Sequence, residues 1–131
     1  MTHTALSSAQ VVLASSGDEN HPPENISDGN TETFWISTGM FPQEFIMRFP
    51  EEVTISALTM HSYNVKSCRI ERSTSEEAEK FEAVEEKEFE HTDGHLQTND
   101  ISVPGISATH LRFVILSGYD HFVSIHKVSV Q

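Results

Sequence analysis

Residues 111–118 read LRFVILSG, and their alternation decides the fold class. Leu111, Phe113 and Ile115 fall on one side of a two-residue repeat, and Val114 and Leu116 fall on the other. A strand that is apolar on both faces belongs in the middle of a sheet, where neither face meets water. The same period recurs in both directions from here. Downstream, FVSIHKVSV (122–130) carries Val123 and Ile125, then shifts phase to Val128 and Val130, which a bulge near His126 explains. Upstream, QEFIMRF (43–49) puts Phe45, Met47 and Phe49 on one side. In EVTISALTMHSY (52–63) Val53, Ile55 and Ala57 share a face, with Thr59 following, and VKSCRIERS (65–73) sets Val65, Ser67 and Arg69 opposite Cys68 and Ile70. AQVVLASS (9–16) begins the series. Turn signals in GDENHPPEN, TDGH and VPGIS separate these runs. The spacing predicts an all-β fold, a sandwich or barrel.

Residues 73–91, STSEEAEKFEAVEEKEFEH, are the exception, since they are rich enough in Glu and Lys to suit a helix. The helical stripe of Phe81, Val84 and Glu88 is too thin to bury. A loop from Ser73 to Glu79 and an edge strand from about Phe81 to Phe89 fit better, with the charges discouraging edge-to-edge pairing.

The 131 residues and 37% hydrophobic content suit one domain, 1–131, with one core. Eight Lys and Arg against 20 Asp and Glu give a formal net charge of -12. That balance argues against nucleic acid and against anionic membrane surfaces, which both need clustered cations. No basic leader followed by a long apolar run begins the chain, and no stretch suits membrane insertion, so the chain is expected to be soluble and unsecreted. The lone Cys68 is expected to be a small buried apolar residue, and the Asn25-Ile26-Ser27 sequon to be idle.

Nothing in the residues argues for an enzyme. His91 and His95 flank Thr92-Asp93-Gly94 with no further ligand close in sequence, which suits turn histidines better than zinc. His21, His61, His110, His121 and His126 are scattered, and neither a nucleophile elbow nor a phosphate-cradling loop is present. Residues 25–35, NISDGNTETFW, are different because their oxygen donors are concentrated. Counted from Asp28, the twelfth position that an EF-hand reserves for Glu is Gly39, so that site is excluded. Pro22 and Pro23 restrict the approach, Gly29 permits a sharp turn, and Phe34 and Trp35 anchor the exit. Two readings stay open: a compact calcium loop using main-chain carbonyls with Asp28 and Thr33, or an Asx-turn in which Asp28 and Asn30 bond neighbouring amides.

Residues 15–46, SSGDENHPPENISDGNTETFWISTGMFPQEFI, resemble the signature of the intraflagellar transport 25 family, also labelled small-heat-shock-protein-like and placental protein. RIERSTS (69–75), HTDGHLQ (91–97), LRFVILSGYDHF (111–122) and VSIHKVSV (123–130) extend the resemblance over nearly the whole chain. The resemblance implies a jelly-roll β-sandwich of the galactose-binding, discoidin-like type. It also implies one structural Ca2+ held by the carbonyls of Asn25 and Asn30, the carboxylate of Asp28 and both oxygens of Thr33. The remaining ligands would come from the His126 to Val128 stretch, where some relatives of the wider fold place a Glu and this chain has Lys127. As partners it implies a Rab-like small GTPase, the intraflagellar transport 27 protein, and other subunits of intraflagellar transport complex B. The implied location is the cilium and the cytoplasm around the basal body.

Met40, Phe41, Tyr119 and Phe122 are the candidates for a partner contact, Phe41 and Phe122 being equally suited to plugging the ends of the sandwich. The alternatives to an adaptor are a carbohydrate-binding module and a small-heat-shock-type chaperone. The first finds only one Trp and two Tyr to stack on sugars. For the second, Val128-Ser129-Val130 imitates a β-branched terminal anchor.

Overall fold

The computed structural model describes residues 10–14, 35–36, 40–76, 79–92, 96–119 and 123–130. The strands are β1 (Gln10–Ala14), β2 (Trp35–Ile36), β3 (Gln43–Tyr63), β4 (Val65–Ser73), β5 (Glu82–Glu88), β6 (Gln97–Gly118) and β7 (Ser124–Val130). The fold is an all-β sandwich, and the described residues include no helix. None therefore has a helix long and apolar enough to cross a membrane.

Hydrogen-bonded neighbours follow the order β2-β7-β3-β6-β4-β5, and β1 joins β3. LRFVILSG thus sits in β6 between β3 and β4, as its two apolar faces require. Leu111, Phe113 and Ile115 are fully buried on one side, and Val114 is 4% exposed on the other. Two long strands carry the architecture. The first part of β3 pairs with β1, its last part pairs with β7, and β6 runs antiparallel beside both.

A strand that serves two partners in turn must bend, and the bends lie where the pairing slips. β3 slips against β6 between Arg48 and Val53, around Pro50, whose missing N–H confines it to such an irregularity. A second slip between Ile55 and Ala57 is opposed by Val103, Pro104 and Gly105 of β6. Gly105 has φ +44, and nothing lies within 4 Å of where its Cβ would be. VPGIS, expected as a turn, is therefore a bulge inside one 22-residue strand. This second slip also overturns the expected face of β3. Ile55 is buried, but the next buried positions are Leu58 and Met60, while Ala57 and Thr59 are half-exposed.

Inside, Phe45 stacks on Phe113, its cross-strand partner, at 4.8 Å and meets the edge of Trp35 at 5.5 Å. Cys68 is fully buried in the same core, and burial pushes its thiol up to about 12, so it stays an uncharged apolar filler at neutral pH. The outer face of β3, β6 and β4 is held by ions instead. Arg112 bonds Glu44 through two nitrogens and Glu71 at 3.2 Å, and Glu71 takes Arg69 Nε at 2.8 Å. Phe81 lies 5.7 Å from the Arg112 guanidinium.

Of the segment from 73 to 91, the expected edge strand is present as β5, residues 74–76 and 79–81 lie in no strand, and residues 77–78 of the expected loop lie outside the described residues. β5 pairs with β4 alone among the described strands, and four of its seven residues are Glu. Like charges along an open edge repel a second copy of that edge, which is how sheets avoid end-to-end association.

Candidate docking site

The turn between β3 and β4 is the single residue Asn64, in the left-handed region at φ 65. Asparagine tolerates that conformation better than most side chains. The turn carries the chain across β6, and the surrounding loops are tied to it. Asn64 O accepts the Tyr119 N–H at 2.8 Å, and Lys66 O accepts the Phe89 N–H at 2.8 Å. The buried amide of Gln97 fills the space between them. Its Oε1 takes Val65 N–H at 3.1 Å and Ser62 Oγ–H at 3.0 Å, while its Nε2 donates to Val65 O at 2.8 Å and Glu90 O at 2.9 Å. All four bonds open to a primary amide are made, so Gln97 locks three segments at once.

On this frame lies apolar surface. Met40 is 89% exposed, Tyr119 41% and Leu96 38%, the large hydrophobic residues that stay exposed among those described. They converge on one end of the sandwich. Met40 precedes Phe41, whose ring packs against the core and reaches Gly118, next to Tyr119. Leu96 precedes Gln97. The Tyr119 ring is fixed in place, since its hydroxyl donates to Phe89 O at 2.6 Å and the His91 ring leans on it at 4.9 Å. Lys66 Nζ lies 6.0 Å from the ring centroid. Immobilised aromatic rings with a polar rim are what partner surfaces use, because little side-chain freedom is lost on binding.

Gly118 keeps this end closed. A Cβ there would lie 2.7 Å from Phe41 Cζ and 3.0 Å from both Asn64 O and Val123 Cγ1. Gly118→Ala is expected to destabilise the protein by about 1–3 kcal/mol through overpacking, read as a lower urea midpoint at unchanged slope.

Of the residues expected at a partner contact, Met40 and Tyr119 are exposed here, Phe41 is a plug, and Phe122 lies outside the described residues. Leu96 and Gln97 were not singled out from sequence. A lone Leu or Gln beside a turn carries no periodic signal, and only the hydrogen-bond partners of Gln97 reveal its part. His91 belongs to the rim of this surface. Asp93 and His95 lie outside the described residues, and these hold no group of three acidic, histidine or cysteine side chains suited to a metal.

The expected calcium ligands Asn25, Asp28, Asn30 and Thr33 also lie outside the described residues. The exit of their loop is described. Trp35 is fully buried and pairs with Ile125, one residue before His126. His126 is the extra residue of β7, since Lys127 pairs with His61 and Ile125 with Ser62, so the expected bulge is present. Its Nε2 is 3.1 Å from Ser124 Oγ, and Val128 is 1% exposed. Imidazole, ammonium and isopropyl groups supply no hard oxygen, so only main-chain carbonyls of this stretch suit calcium.

Residues 7–128 match the F5/8 type C domain family. Intraflagellar transport protein 25 homolog of Homo sapiens is 54% identical over 94% of this chain and 85% of its own length. The chain belongs to the intraflagellar transport protein 25 family. Intraflagellar transport protein 25 of Chlamydomonas reinhardtii is 40% identical over 92% of this chain and 63% of its own. Among solved structures, the family 32 carbohydrate-binding module of C. perfringens NanJ in complex with galactose superposes with TM-score 0.84, covering 98% of this chain and 97% of its own. At 17% identity that likeness shows the fold of this chain alone, and galactose is the ligand of the bacterial module.

Proposed function

We propose that the chain is a non-catalytic adaptor of intraflagellar transport complex B in the cilium, paired with a Rab-like small GTPase, the intraflagellar transport 27 protein. The observation that carries this reading is the 54% identity to a human protein named for intraflagellar transport, over 94% of this chain and 85% of that protein. The exposed Met40, Leu96 and Tyr119 on a fixed frame support a docking role, and we assign the GTPase contact to that end. Mixing the two purified proteins at micromolar concentration and passing them over a size-exclusion column tests the pairing. A single peak holding both is the expected result; separate elution would remove the GTPase from the proposal.

The proposal includes a structural calcium ion held by Asn25, Asp28, Asn30 and Thr33, which would fasten the loop leading into Trp35. The hard-oxygen chemistry of those four residues supports it, and so does the seating of Trp35 beside the β7 bulge. An ion that binds only the folded state raises stability with its concentration. Asp28→Ala is therefore expected to lower the melting temperature and to abolish its difference between calcium and chelator. Equal melting of the parent protein in calcium and chelator would leave the loop an Asx-turn.

A further inference from the structure

At Val65 a side chain stands in for a strand partner. Gln97 Oε1 accepts the Val65 N–H at 3.1 Å, and Gln97 Nε2 donates to Val65 O at 2.8 Å. Two residues that face each other in an antiparallel ladder exchange the same two bonds, so the Gln97 amide acts here as a peptide unit would. Its second Nε2 proton goes to Glu90 O at 2.9 Å. The amide therefore joins the start of β4 to the chain that leaves β5.

These are the two segments that hold Tyr119. Val65 follows Asn64, whose carbonyl accepts the Tyr119 N–H at 2.8 Å. Glu90 follows Phe89, whose carbonyl accepts the Tyr119 hydroxyl at 2.6 Å, and precedes His91, whose ring leans on Tyr119 at 4.9 Å. With its four bonds taken by Ser62, Val65 and Glu90, Gln97 makes none to Tyr119 itself. At 1% exposure it is also out of a partner's reach.

We propose that Gln97 is the positioning residue of the docking end, fixing the main chain and the ring of Tyr119 for a partner that Gln97 does not touch, an assignment that rests on the docking role proposed above.

The chemistry of the site asks for an amide. Two donors and two acceptors meet at one buried point: Val65 N–H and Ser62 Oγ–H need acceptors, while the carbonyls of Val65 and Glu90 need donors. A carboxylate offers no donor, and an apolar side chain leaves all four groups unpaired. Fixing both segments beforehand removes freedom that Tyr119 would otherwise lose on association, and affinity rises by that saving.

Amide hydrogen exchange on the free chain tests the positioning. The Phe89 and Tyr119 amides bond Lys66 O and Asn64 O rather than Gln97, so they respond only if its hold is transmitted. In Gln97→Met they are expected to lose roughly tenfold in protection while the amides of residues 111–115 keep theirs. Unchanged Phe89 and Tyr119 amides, or an equal loss along 111–115, would overturn the proposal. Titration calorimetry with the Rab-like GTPase tests the consequence. Gln97→Met should weaken binding about tenfold, and less than about twofold when Tyr119→Ala is already present, because coupled residues are not additive. Equal losses in both backgrounds would refute the positioning role and leave the docking reading standing. A GTPase that binds neither the parent nor the variants would instead refute the docking reading, and this role with it, even with the exchange loss present in the free chain. If Gln97→Met fails to fold, the Nε2 protons of Gln97 and the Tyr119 amide of the parent protein must exchange with equal protection, and unequal protection would count against the proposal.

Discussion

Phe45→Ala should cost about 3–5 kcal/mol of folding stability, the range for removing a buried aromatic side chain from a packed core. Phe45 is fully buried, stacks on Phe113 across the β3–β6 pairing and carries the edge of Trp35. Its ring therefore joins both long strands to the residue that ends the 25–35 loop. A domain of this size has only about 5–15 kcal/mol in reserve, so the variant should stand near the limit of folding. The melting temperature should fall by on the order of 10–20 °C. Glu86→Ala, on the exposed edge strand, should stay within about 0.5 kcal/mol and serves as the control. A loss under about 1 kcal/mol at Phe45 would mean that the site relaxes and that the aromatic cluster does not join the two strands.

The second large effect is expected on association. A fixed, partly exposed tyrosine beside an exposed methionine has the character of interface residues whose truncation costs about 2 kcal/mol or more, roughly a thirty-fold loss of affinity. Tyr119→Ala should weaken binding to the Rab-like GTPase by that amount, and adding Met40→Asp should weaken it further. Tyr119→Phe keeps the ring but loses the hydroxyl bond to Phe89 O, so a smaller loss is expected, arising from a less restrained ring. Titration calorimetry with variants of unchanged melting temperature separates these outcomes. Unaltered affinity in Tyr119→Ala would place the GTPase elsewhere on the sandwich.

Much of the fold was legible because period-two patterning survives wherever a strand has one or two buried faces. LRFVILSG marked the central strand, the phase change after Ile125 marked the His126 bulge, and the charges of residues 82–88 marked an edge. Reading failed where a strand bends without ending. Pro50 and Val103-Pro104-Gly105 have the composition of turns, yet each occupies a slip in continuous pairing, a distinction that depends on the partner strand rather than on local residues. The same slip moved the buried face of β3 from Ala57 to Leu58. The candidate site was legible in part. Exposed apolar residues on turns were identifiable as Met40 and Tyr119, but their assembly around Asn64 and Gln97 required bonds between segments more than 30 residues apart. The GTPase leaves no signature in spacing or composition, and comes from family resemblance.

The partner's contact on the sandwich is the decisive quantity for an adaptor role. Hydrogen exchange of the chain with and without saturating GTPase measures that directly. Docking at the loop end predicts added protection at residues 40–43, 64–66, 89–92 and 118–119, with the β5 edge and residues 73–80 unchanged. Protection confined to other faces, with those segments exchanging as in the free protein, would contradict it.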